Sequence, residues 1–163
     1  MKLKTLQDLL LYQLKDLYSS EQQIWQALHL MAETAYSTDL RQAFLTHIKR
    51  TGNQISRLEK VFLNLNLDHN GEWCEGMEGL INECRTIIRT EGEPELKDTA
   101  LITAAQKVDH YEITCYTAAL TYARELGFDA EADLLQESLD EENNIKKELT
   151  NLAKGGFFSS ETK

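Results

Sequence analysis

Rows of apolar residues spaced four and three apart constrain this chain more than anything else in it. The first row reads Leu10, Leu14, Leu17, Glu21, Ile24, Leu28, Met31, Ala35, apolar at every step but one. That spacing is one face of a helix packed lengthwise in a bundle, and a strand, whose faces alternate every two residues, cannot carry it. The second row is Leu40, Phe44, Ile48, Thr51, Ile55, Leu58, Phe62, Leu65. The third runs Leu101, Ala105, Val108, Glu112, Cys115, Ala119, Tyr122, Leu126, and the fourth Leu135, Ser138, Glu142, Ile145, Leu149, Leu152. One proline and 8 glycines in 163 residues give too few turns for a many-stranded sheet. The class is all-α.

Punctuation between the rows predicts long helices over about 3–36, 38–66, 95–126 and 129–153. Ser37-Thr38-Asp39 supplies a tight turn and an N-cap, and Gly127 stands where a helix ends on a glycine. Helices joined this closely must be antiparallel neighbours. Between the second and third lie about thirty residues holding a short helix over about 75–90, with Met77, Leu80, Ile81, Cys84, Ile87 and Ile88. Pro94 suits the start of the next helix. One long crossover in a four-helix bundle is the ferritin-like topology. Residues 1–153 are expected to form this single domain and 154–163 a flexible tail.

Composition narrows the function. Lys+Arg 17 against Asp+Glu 27 gives a net charge of -10, the wrong sign for gripping a nucleic-acid backbone. No apolar run is long enough to span a membrane, and the first residues lack the apolar core of a signal peptide. Cys74, Cys84 and Cys115 fit no metal-binding spacing and suggest reduced thiols, hence a cytoplasmic protein. There is no Gly-rich phosphate loop and no nucleophile elbow.

The glutamates inside the apolar rows carry the chemistry. An unpaired carboxylate buried in a core costs several kcal/mol, so it must pair, protonate or bind a cation. Carboxylates converging from facing helices make a metal site, and oxygen ligands with an imidazole suit iron or manganese. The candidates are Glu21, Glu112 and the pair Glu141-Glu142; the row favours Glu142 and the choice stays open. His47 is the one imidazole nearby on the second helix, and Asp109, one turn before Glu112, adds an oxygen. A shift of 91 residues lays Glu21 on Glu112 and Thr51 on Glu142, so the two halves form a weak repeat. The E-x-x-H pattern of ferritin-like bundles is missing from helices two and four. No complete oxidase or peroxidase ligand set is visible.

The chain resembles the YciE/YciF family of bacterial ferritin-like stress-associated proteins. The stretches that carry the likeness are Asp16-Leu17-Tyr18-Ser19-Ser20-Glu21-Gln22-Gln23, Ala43-Phe44 with His47 and Thr51, and Gln54-Ile55-Ser56-Arg57-Leu58-Glu59. Cys74 to Ile81, Ala104 to Ile113 and Leu134 to Glu142 complete the set. The resemblance implies a ferritin-like bundle, a homodimer and a carboxylate metal site, with Glu21, Glu112 and Glu141 at acidic motif positions and Asp109 in place of a glutamate. It also implies a glutamate where this chain has Arg50. An arginine cannot ligate a cation, and here it is expected to pair with the site's carboxylates and leave a reduced or mononuclear centre. The rival expectation is a metal-free structural or interaction protein in which Arg50 stands in for the cation.

Overall fold

The computed structural model describes residues 3–71 and 73–158, the last three as backbone only. The described residues contain the helices α1 (Leu6–Thr34), α2 (Thr38–Asn64), α3 (Glu75–Arg89), α4 (Pro94–Glu125) and α5 (Asp129–Phe158), and no strand. Local chemistry sets their ends. Thr5 caps α1 in a reciprocal box: its hydroxyl accepts from the Asp8 N–H at 3.1 Å, and the Asp8 carboxylate accepts from the Thr5 N–H at 2.9 Å. The helix therefore starts at Leu6, a few residues after the expected start at about residue 3. Ser37 caps α2, which ends at Asn64 because Asn66 turns into the left-handed region at φ 53°. Pro94 opens α4, and Gly127, at φ 74°, follows its end. The last helix runs on past Ala153 to Phe158, and residues 159–163 of the expected tail lie outside the described residues.

Each long helix packs against two others: α1 on α2 and α4, α5 on α4 and α2. They close a four-membered ring. The crossover helix α3 covers α1 and α4, where Met77, Ile81 and Cys84 bury their side chains. Its start is anchored by the Cys74 N–H donating to Ser19 Oγ (2.9 Å) and by Gln23 Nε2 donating to the Cys74 carbonyl (3.1 Å). At the other end of α1, Asp98 accepts from the N–H groups of Tyr36 (2.8 Å) and Ser37 (2.7 Å), tying the α1–α2 turn to α4. All three cysteines are buried and unpaired.

The ring's apolar interior is divided in two. One cluster holds Ile24, Leu28, Phe44, Val108 and Ile145, the other Leu14, Leu17, Leu58, Cys115 and Leu139. Every helix of the ring passes from one cluster to the other through a polar stretch. Those stretches lie side by side.

Candidate metal centre

Seven polar side chains fill this layer. Glu21 of α1, Thr51 and Gln54 of α2, Asp109 and Glu112 of α4 and Glu142 of α5 are wholly buried, and His47 is 2% exposed. Their positions follow from helical spacing: 47, 51 and 54 repeat by four and three on α2, and 109 and 112 by three on α4. One ligand atom from each of His47, Asp109, Glu112 and Glu142 lies within 4.8 Å of the others. Bonds of about 2.1 Å to one ion hold its ligands roughly 3 to 4 Å apart, so small side-chain movements would close this set on a single cation.

Hydrogen bonding within the layer is incomplete. Tyr116, itself fully buried, donates its hydroxyl to Glu21 Oε1 at 2.5 Å, and Gln54 Nε2 donates to Glu142 Oε1 at 2.6 Å. Neither ring nitrogen of His47 has a partner, nor does either carboxylate oxygen of Asp109, and Glu112 meets only the neighbouring carboxyls of Glu21 and Glu142. Glu21 Oε2, Glu142 Oε2, Gln54 Oε1 and Thr51 Oγ1 are equally unpartnered. Each orphaned buried polar atom costs about 1–3 kcal/mol, and native interiors contain few of them. Here nearly all are acceptors facing one another, which is the donor set a cation requires. The residues present fit a metal.

Electrostatics agree. Burial pushes the Glu21, Asp109 and Glu112 carboxyls well above the ordinary range, and repulsion from Glu142 adds to it in each. Glu142 itself is raised to about 7, chiefly by burial, against the stabilising N–H of Gln54. His47 is pushed down to about 3 by burial and by the charge of Arg50. Its imidazole is neutral at neutral pH and keeps a lone pair for a ligand bond.

Five of the six candidates from the sequence, Glu21, His47, Asp109, Glu112 and Glu142, meet in this layer. Glu141 does not join them. Successive residues on a helix point about 100° apart, and with Glu142 inward Glu141 reaches the α2–α5 flank. There both its oxygens accept from Arg57 at 2.8 Å, and Arg57 also holds Glu137 at 2.5 Å. The expectation for Arg50 is corrected for the same reason. It lies beside inward Thr51, so its fork turns outward and donates to Glu148 at 2.9 and 3.2 Å instead of to the site's carboxylates. Cys115 turns to Asp16 Oδ2 at 3.7 Å on the α1–α4 seam. Sequence reasoning missed Thr51, Gln54 and Tyr116 as members of the layer. The 91-residue repeat pointed at Thr51 by laying it on Glu142, and Gln54 follows three residues later. Nothing distinguished Tyr116 from an ordinary core aromatic.

Residues 5–159 match the family described as a domain of unknown function, DUF892. The chain is 41% identical over 154 residues to Protein YciF of Escherichia coli (strain K12), covering 94% of this chain and 93% of that protein. The chain belongs to the YciF-like DUF892 family. Within the family, the crystal structure of the E. coli stress protein YciF superposes with a TM-score of 0.92 at 40% identity, covering 94% of this chain and 98% of that one. YcfI, described as a putative structural protein from Rhodopseudomonas palustris, gives 0.86 at 38% identity over 90% and 94% of the two chains. A protein from Xanthomonas campestris pv. campestris shares the fold with a TM-score of 0.74 at 18% identity, over 93% and 92%. No helix among the described residues is long and apolar enough to cross a membrane.

Proposed function

We propose that this DUF892 protein is a ferritin-like, stress-associated metal-binding protein of the bacterial cytoplasm. The unpartnered ligand atoms of His47, Asp109, Glu112 and Glu142 carry this reading. Burying three carboxylates and a neutral imidazole together without a counter-ion is costly, and a divalent iron or manganese ion offsets that cost. When bound, such an ion supplies a Lewis acid or a one-electron redox centre. The chain's own contribution is a dry, ordered ligand set: Gln54 orients Glu142, and Tyr116 orients Glu21. The kinship with a stress protein supports the stress association.

A metal-free structural role is the second reading, favoured by the donors already on one oxygen each of Glu21 and Glu142 and by the description of the Rhodopseudomonas relative. Against it, Arg50, the expected substitute cation, forms its ion pair with Glu148 rather than with a carboxylate of the layer. Elemental analysis of protein purified without chelators separates the two. A bound transition metal that Glu112→Gln abolishes supports the first; no metal, and no uptake from Mn(II) or Fe(II), supports the second.

The homodimer belongs to the same proposal. The apolar face of α3 is covered within the chain, with Met77 and Ile81 in its own core. Tyr12, Trp25, Leu30, Leu45 and Leu63 are the large apolar side chains left exposed on α1 and α2.

A further inference from the structure

We propose that the centre holds one cation, bound by His47, Asp109, Glu112 and Glu142, and that Glu21 is not among its ligands. This rests on the metal-binding reading above and departs from the two-ion centre that a ferritin-like bundle would lead one to expect. A two-ion centre takes a carboxylate from each of four helices and an imidazole from each of two, through paired E-x-x-H motifs. Around the helix-two motif position this chain offers Thr51 and Gln54, a hydroxyl and an amide without charge. On α5, Glu142 is followed three residues on by Ile145, which lies in the apolar core. Neither motif has its imidazole. The imidazole present, His47, stands one turn before Thr51, with both ring nitrogens buried and unpartnered. It completes a four-atom set that does not include Glu21.

A protein donor also holds one oxygen on each of two carboxylates of the layer. Tyr116 O–H occupies Glu21 Oε1, and Gln54 N–H occupies Glu142 Oε1. Each uses a carboxylate lone pair and presents the positive end of its dipole there, which disfavours a second cation on the same oxygen. Glu21 Oε2, Gln54 Oε1 and Thr51 Oγ1, also unpartnered, lie outside the four-residue set.

The test uses the full chain, stripped with chelator and loaded with excess Mn(II). One ion per chain by elemental analysis is expected, with the uncoupled electron paramagnetic resonance pattern of an isolated ion. Glu21→Gln should hold Mn(II) within about threefold of the parent affinity. Asp109→Asn and Glu142→Gln should each weaken it by about tenfold or more. Melting in chelator verifies that each variant is folded before its affinity is read. Two ions per chain with a coupled spectrum would overturn the single-cation assignment while leaving metal binding intact. So would a folded Glu21→Gln that loses the ion as fully as Glu142→Gln does. No uptake by the parent would overturn the metal-binding reading and this assignment with it.

Discussion

Glu142 concentrates the opposing demands on the centre. Its carboxyl is raised from 4.5 to about 7 in the folded chain. The metal-free fold therefore keeps a proton that the unfolded chain has released. By linkage this contribution is fully present below about pH 4.5 and is lost as pH rises through about 7. Glu21, Asp109 and Glu112, also raised, act in the same direction. His47 acts oppositely: it titrates at about 3 when folded and near 6.5 when unfolded, so stability is lost as pH falls below 6.5. Metal-free protein should thus be most stable under mildly acidic conditions and weaken toward about pH 8. Urea titrations in chelator at several pH values check this, and midpoints that climb steadily to alkaline pH would contradict it. Glu142→Gln should flatten the alkaline loss and gain about 1–3 kcal/mol at about pH 8, while weakening metal binding. Function and metal-free stability pull apart at this residue.

At the scale of elements, the seams differ in what holds them. Arg57 ties α2 to Glu137 and Glu141 with its side chain 14% exposed, whereas the Arg50–Glu148 pair is 25% and 46% exposed. Arg57→Ala should cost about 1–2 kcal/mol and Arg50→Ala less than about 1, since solvent screens the outer pair. Asp98→Ala leaves the N–H groups of Tyr36 and Ser37 without their acceptor and should cost about 2 kcal/mol. The docking of α3 is tight at Gly76, where an added Cβ would sit 3.0 Å from the Tyr111 ring and hydroxyl. That hydroxyl already donates to Asp16 at 3.0 Å and lies 3.1 Å from Cys74 Sγ. The ring cannot yield cheaply, and Gly76→Ala should destabilise by about 1–3 kcal/mol. Chemical denaturation of the four variants ranks these effects, and a harmless Gly76→Ala would mean that α3 rides loosely on α1 and α4.

For the whole molecule, a ligand that binds only the folded chain stabilises it by mass action, by about 2.7 kcal/mol at a free concentration a hundred times Kd. Mn(II) or Fe(II) should therefore raise the melting temperature of chelator-treated protein, and Asp109→Asn should remove most of the rise. Calorimetry with and without metal measures both. Light scattering at micromolar concentration should give twice the 18.7 kDa chain mass if the homodimer forms, and the mass of one chain would reject it.

Periodicity determined the helices, since four-three spacing is a local property of the chain; the tight turns at Ser37 and Gly127 and the long crossover were legible for the same reason. The intruding glutamates Glu21 and Glu112 were legible too, and a third within the pair Glu141-Glu142, because a carboxylate in an apolar row violates a local rule. Which atoms share one centre was not. Whether Glu141 or Glu142 turned inward depended on the rotation of α5 against α2, and about 100° separates the two on the helix surface. The partner of Arg50 depended on that rotation as well, which brought Glu148 within its reach. Gln54 and Tyr116 entered the layer only when side chains distant in sequence met across the bundle, Gln54 on Glu142 and Tyr116 on Glu21. A residue's spacing chooses its face on a helix, but its neighbour across the core is chosen by how the helices pack.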